Sequence, residues 1–214
     1  HPPPSDPRRS AVIRRAAGGL VARLGPALAM AAILALPGLA LYAPQTVGGR
    51  SLVPWDALSV DPVFRSALET RGHRTPQNDL VADLVFQNVV WKTEALAALA
   101  DGELPLWNPL IVGGVPFLAA GQHGVLYPTM LLFAWLGPER GFGWAALAGT
   151  WLAALSAYAL GRSLGLGRYA ACFVGAVWSA SLPMVANAVF PMIQGALGWS
   201  PLLLAAVIRL TDRG

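Results

Sequence analysis

The chain has 214 residues, of which 55% are hydrophobic and only 12% charged, and its mean hydropathy is +0.53. An average soluble domain is about 25% charged, so the composition excludes an ordinary soluble domain and places the chain among membrane proteins. The net charge of +4 comes without a basic stripe interleaved with aromatics, which gives no support to a nucleic-acid partner.

Residues 1–10, HPPPSDPRRS, are Pro-rich and polar and are expected to be disordered. Val12 to Arg23 mixes arginines with apolar residues, which suits either a short helix on an anionic membrane surface or a basic flank that only sets orientation. Residues 1–23 are thus read as a cytoplasmic basic tail. Leu24 to Ala43 is an apolar run without a charge, long enough to cross a hydrocarbon core of roughly 30 Å. It is long for the core of a cleaved signal peptide, and Leu41-Tyr42-Ala43 is a poor small-x-small cleavage site. A retained first span is expected.

Residues 44–139 form the one long polar stretch, with nine of the chain's 11 acids. A short surface helix is expected after Pro54. A longer helix should start at Asn78, which can cap, and stop at Gly102, with Leu80, Val81, Leu84, Val85, Val89 and Leu96 at helical spacing. Its other face carries Asp79, Asp83, Gln87 and Trp91, each four residues from the last. The chain then becomes rich in Gly, Pro and aromatics as far as Pro128, and Tyr127 to Gly137 is apolar but too short to span, so a half-inserted helix is expected. Further spans are predicted at Phe142 to Leu160, Tyr169 to Val189 and Ile193 to Leu210 within the closing segment 140–214. The amino end, the link with Arg162 and Arg168, and the end with Arg209 and Arg213 all carry arginines, which places these three flanks in the cytoplasm and the acidic loop outside. The single cysteine, Cys172, excludes an internal disulfide and a cysteine-based zinc site. Because the chain opens on His and closes just after an apolar run, it reads as a piece of a longer polytopic protein.

Two neighbouring carboxylates on one helix face, Asp79 and Asp83, admit three readings. One can serve as a general base on an acceptor hydroxyl. The pair can hold a divalent cation, with Gln87 or His123 completing the shell. Acids on the wet face of an amphipathic helix are also commonly just solvated, and a lone loop histidine is commonly just hydrogen-bonded. No H-E-x-x-H, Gly-rich phosphate loop or Ser/His/Asp order occurs.

The ordered set D-x-x-x-Q (Asp83 to Gln87), G-E-L-P-L-W-N-P (Gly102 to Pro109), G-G-x-P-F (Gly113 to Phe117) and Q-x-G-x-x-Y-P (Gln122 to Pro128) resembles the bacterial YfhO-type membrane proteins of the GT-C glycosyltransferase class. The similarity runs from about residue 50 to the end. It implies an all-α polytopic fold of GT-C type, with about four transmembrane helices and an extracytoplasmic first loop carrying interfacial helices. The activity it implies is transfer of a sugar from a polyprenyl-phosphate donor to a cell-envelope glycopolymer or glycolipid, in the bacterial inner membrane with the amino terminus cytoplasmic. By position in the D-x-x-x-Q run, Asp83 is then the catalytic base, with Asp56 and Asp79 as alternates and Gln87 orienting the substrate. Trp107, Asn108, Gln122, His123 and Tyr127 are the expected substrate contacts, and Lys92, Arg74 and Arg140 the cations available to the donor's phosphate. Membrane lipid is the expected surroundings, and the only cofactor suggested is a possible divalent cation. A transporter or flippase fragment and a non-catalytic envelope scaffold are the rival readings. The first predicts ionisable residues within the spans near the bilayer midplane, and the four runs named above carry no Asp, Glu, Lys, Arg or His there, Arg209 standing one residue from the end of the last.

Overall fold

The computed structural model describes the backbone of residues 7–70, 72 and 78–212, and within those the side chains from Pro26 onward except that of Asp79. The first helix, α1, runs Pro7–Thr46 as one piece. The expected division between a surface helix and a span at residue 24 is therefore absent from the backbone, and from Pro7 on the tail is helical rather than disordered. Pro26, Pro37 and Pro44 lie inside α1, as is tolerated where lipid and neighbouring helices replace water around the backbone.

Among the described residues, three helices are long and apolar enough to cross a membrane: Pro26–Thr46 of α1, α4 (Met130–Ser163) and α7 (Pro191–Thr211). The run predicted as a span at 169–189 folds instead as two short helices, α5 (Arg168–Ser179) and α6 (Leu182–Ala186). The break falls at Ala180 and Ser181, just before Pro183, whose ring cannot continue a helix begun upstream.

Helix α4 is the centre of the bundle. The Trp151 indole donates to the Ala31 carbonyl at 2.9 Å, and a Cβ on Gly143 would stand 2.7 Å from the Gln45 carbonyl oxygen, so α1 runs antiparallel to α4. A Cβ on Gly175 would stand 2.6 Å from the Ala154 carbonyl oxygen, which shows how closely α5 returns along α4. Small residues permit that approach, the usual means of packing helices in lipid. Gln194, fully buried in α7, donates to the Ala146 carbonyl at 3.3 Å and the Thr150 hydroxyl at 3.2 Å, and a Cβ on Gly198, one turn on, would meet Leu152 at 3.4 Å, so α7 runs parallel to α4. These pairings put Arg162, Arg168 and Arg209 at one end of the bundle. The polar stretch that follows α1 and precedes α4 lies at the other end.

That polar stretch is not a loose loop. It contains a 3-10 turn at Trp55–Val60, α2 (Pro62–Glu69), a 3-10 turn at Asp79–Val81, a π-helix at Leu84–Val89 and α3 (Val90–Ala100). Asn78 does cap, accepting from the Leu80 amide at 3.1 Å, and Gly102 follows α3 with φ 79°, a backbone that favours glycine. A two-residue hairpin follows, β1 (Trp107–Asn108) pairing antiparallel with β2 (Val115–Pro116). Val53, Ala57, Leu84, Val85, Ala95, Phe117 and Val125 from these segments form one buried core with Met130, Phe133, Phe142 and Ala145 of α4. The stretch is a folded cap seated on the bundle.

At Gly137 (φ 77°, ψ 165°) α4 breaks its helical geometry, so residues 130–136 form a separate short helix before the long one. Across this kink the rings of Phe133 and Phe142 meet edge to face at 4.9 Å, and Gly141 leaves room for Phe133. The short apolar helix predicted at 127–137 is this piece.

Candidate functional site

Asp83 immediately precedes the π-helix Leu84–Val89. Such wider turns are rare and cluster at functional sites. The Asp83 side chain is exposed and accepts a hydrogen bond from the Gln87 amide at 3.4 Å. The two residues of the D-x-x-x-Q run are thus brought together, with the carboxylate free to meet a solute from outside. Asp79 lies in the preceding 3-10 turn, and its side chain is outside the described residues. Asp56 is half-buried in its own 3-10 turn, and its backbone carbonyl accepts from the Ser59 hydroxyl at 2.7 Å.

Two expected contacts turn out to be internal supports. Asn108 is buried, and its side-chain oxygen accepts from the Leu110 amide at 2.9 Å, which fixes the turn after β1. His123 is 2% exposed. Its Nδ1 accepts from the Val125 amide at 3.2 Å, which leaves Nε2 to donate to the Phe117 carbonyl at 2.6 Å. Both ring nitrogens are occupied, so the shell expected to include His123 cannot form in this arrangement. Among the described residues no three of His, Cys, Asp or Glu come together as metal holders. His123→Ala is expected to lower the stability of the cap by about 2–4 kcal/mol, since it opens a cavity and leaves a buried carbonyl and amide unpaired. Thermal denaturation in detergent measures this, and an unchanged midpoint would show that the imidazole is dispensable to the fold.

Trp107 is exposed and its indole lies against Gly114. Trp91, placed by spacing beside Asp83 and Gln87, is half-buried and packs on the cap core instead. Gln122 is exposed and half-buried Tyr127 accepts at its hydroxyl from the Trp199 indole at 2.9 Å. Both line a cleft of 180 Å³ with Lys92, Gly121, Gly124 and Met192. Arg140 is exposed beside Glu139 and Arg50 at the junction of α1 and α4, and Arg74 lies outside the described residues.

Of the expected site residues, Asp83 and Gln87 meet on an exposed face of the cap, and Gln122 and Tyr127 meet at the cleft. Lys92 also lines the cleft. It follows Asp83 by nine residues, across the π-helix. Lys92 is 3% exposed, and its ammonium is held by the His123 carbonyl, the Met130 sulfur at 3.9 Å and the face of the Phe133 ring at 4.6 Å. Burial in these surroundings lowers its pKa to about 8. Sequence reading named Lys92 only as a cation and passed over Asn88, which is 4% exposed and donates to the Asp83 carbonyl at 3.4 Å. Leu84, Asn88, Lys92 and Ala95 are all buried, and nothing in their residue types marks that face in the sequence.

In comparisons with known proteins, no family model, no curated protein and no solved structure matches the chain.

Proposed function

We propose that the chain is the amino-terminal part of a YfhO-like GT-C glycosyltransferase of the bacterial inner membrane. It would cross the membrane about four times, α5 and α6 together making the third crossing, with a cytoplasmic amino terminus and the cap on the extracytoplasmic face. The reaction is transfer of a sugar from a polyprenyl-phosphate donor to an envelope glycopolymer or glycolipid. The observation that carries this reading is the position of Asp83: an exposed carboxylate at a π-helix, paired with Gln87, on a folded cap at the bundle end opposite Arg162, Arg168 and Arg209.

In the proposed step the Asp83 carboxylate takes the proton of the acceptor hydroxyl as its oxygen attacks the anomeric carbon. The bond from that carbon to the phosphate oxygen breaks, and the electron pair leaves on the lipid phosphate. Because the leaving group is already a stable anion, one carboxylate suffices where glycoside hydrolysis uses two. Gln87 holds the Asp83 carboxylate through its 3.4 Å hydrogen bond, and exposed Trp107 offers a face on which a sugar ring can stack.

The test is sugar transfer by membranes that carry the protein at its natural length, supplied with labelled polyprenyl-phosphate sugars. Labelled envelope polymer or glycolipid is the expected product. No transfer from any donor tried would favour a transporter or a scaffold.

A further inference from the structure

A second cleft lies where α1 ends against α4, and neither Asp83 nor Lys92 lines it. Its volume is 260 Å³, and its polar walls are Gln45, Thr46, Arg50, Ser51, Glu139 and Arg140. That is just below the range of about 300–1,000 Å³ typical of drug-sized ligands, a size for one small polar unit. The backbone fixes both walls. After α1 the chain folds back on the helix end: the Val47 and Gly48 amides donate to the Ala43 carbonyl and the Arg50 amide to the Pro44 carbonyl, each at 3.0 Å. Gly49, at φ 72°, takes the left-handed step in this turn. On the facing side the break at Gly137 starts the long part of α4, and Glu139 and Arg140 stand in its first turn.

The fold leaves this cleft's polar groups unspent. Arg50, Glu139 and Arg140 are exposed, and none of the three makes a side-chain hydrogen bond or ion pair with another described residue. The Gln45 side-chain oxygen is buried without a hydrogen-bond donor, a costly state that a ligand hydroxyl would relieve. The Ser51 hydroxyl accepts from the Val53 amide at 3.1 Å, which leaves its own proton to donate. Two guanidinium groups against one carboxylate leave an excess of one positive charge. That excess suits a ligand with a single negative charge, whereas a phosphate monoester brings close to two and would place them beside Glu139. Among the described residues Val47 is the one apolar side chain on the wall, so nothing here holds a hydrocarbon chain.

We propose that this cleft binds an acidic sugar, a hydroxylated ring that carries one carboxylate. The carboxylate sits between Arg50 and Arg140, whose planar guanidinium groups match its two oxygens. One ring hydroxyl donates to the Gln45 oxygen and another to the Glu139 carboxylate, while Ser51 donates to a ring oxygen. A neutral sugar lacks the charge, and a simple carboxylate lacks the hydroxyls. The site requires no transfer chemistry and goes beyond the reaction proposed at Asp83.

The experiment is a ligand-observed NMR titration of the chain in a detergent without a sugar headgroup, using glucuronate, glucose, acetate and glycerol 3-phosphate. Glucuronate is expected to bind at least tenfold more tightly than each of the others. Arg50→Gln and Arg140→Gln are each expected to weaken it about tenfold, the scale of one charge-assisted hydrogen bond. Gln45→Met is expected to weaken it about threefold, the scale of one neutral hydrogen bond. Neither arginine side chain supports the fold, so both variants should melt with wild type. Glucose, acetate or glycerol 3-phosphate bound as tightly as glucuronate would overturn the proposal. So would the absence of glucuronate binding, or undiminished binding by the double variant Arg50→Gln/Arg140→Gln. Glucuronate binding without sugar transfer would remove only the transfer reading, and transfer without glucuronate binding would remove only this site.

Discussion

Asp83→Asn is expected to reduce sugar transfer by about 10²-fold or more, the usual scale for removing a general base. An amide has the shape of the carboxylate and still meets Gln87, but it cannot take the acceptor's proton. Because Asp83 is exposed and, among the described residues, its side chain is held by the single 3.4 Å hydrogen bond from Gln87, the change should alter stability by no more than about 0.5 kcal/mol. Loss of activity would therefore not come from unfolding. Initial rates in membranes at matched protein levels, with the melting temperature of each purified variant beside them, separate the two effects. A rate within a few fold of wild type would remove Asp83 from the mechanism. Asp56, half-buried in its turn, and then Asp79 would be the next carboxylates to replace.

What could be read from the sequence follows the length of each hydrophobic signal. The apolar runs at 24–43, 142–160 and 193–210 fall within helices long and apolar enough to span. Hydropathy over such windows depends on transfer from water, which every residue reports independently. The run at 169–189 has the same hydropathy but breaks at Ser181, because local backbone geometry ahead of Pro183 decides continuity and a hydropathy sum does not contain it. In the cap, the helix from Asn78 to Gly102 was legible from its cap and stop residues, but not which face it buries. Leu80, counted as apolar face, is 86% exposed, whereas Lys92 is buried. The π-helix at Leu84–Val89 changes the rotation per residue, so a 3.6-residue period projected through it assigns the wrong neighbours. The roles of Asn108 and His123 were illegible for a different reason. Their partners are backbone groups of Leu110, Val125 and Phe117, and every residue type supplies such groups.

Lys92 should also leave a signature in how stability varies with pH. Burial lowers its pKa in the folded protein from 10.5 to about 8, because the charged form loses hydration that no counter-ion replaces. In the folded state the charged form is thus disfavoured, and the cost is fully present below pH 8. As pH rises from 8 toward 10.5 the folded protein releases the proton while the unfolded chain keeps it, so stability increases. Relative to Lys92→Met, which has no such proton, wild type is expected to gain roughly 2–3 kcal/mol between pH 7 and pH 10. Among the described residues, the other ionisable groups beside Lys92 are His123, through its carbonyl, and Tyr127 across the cleft, and both are present in the two proteins. Reversible denaturation of each protein at the two pH values gives the comparison directly. A constant gap would mean that the ammonium is hydrated through the cleft and pays no burial cost.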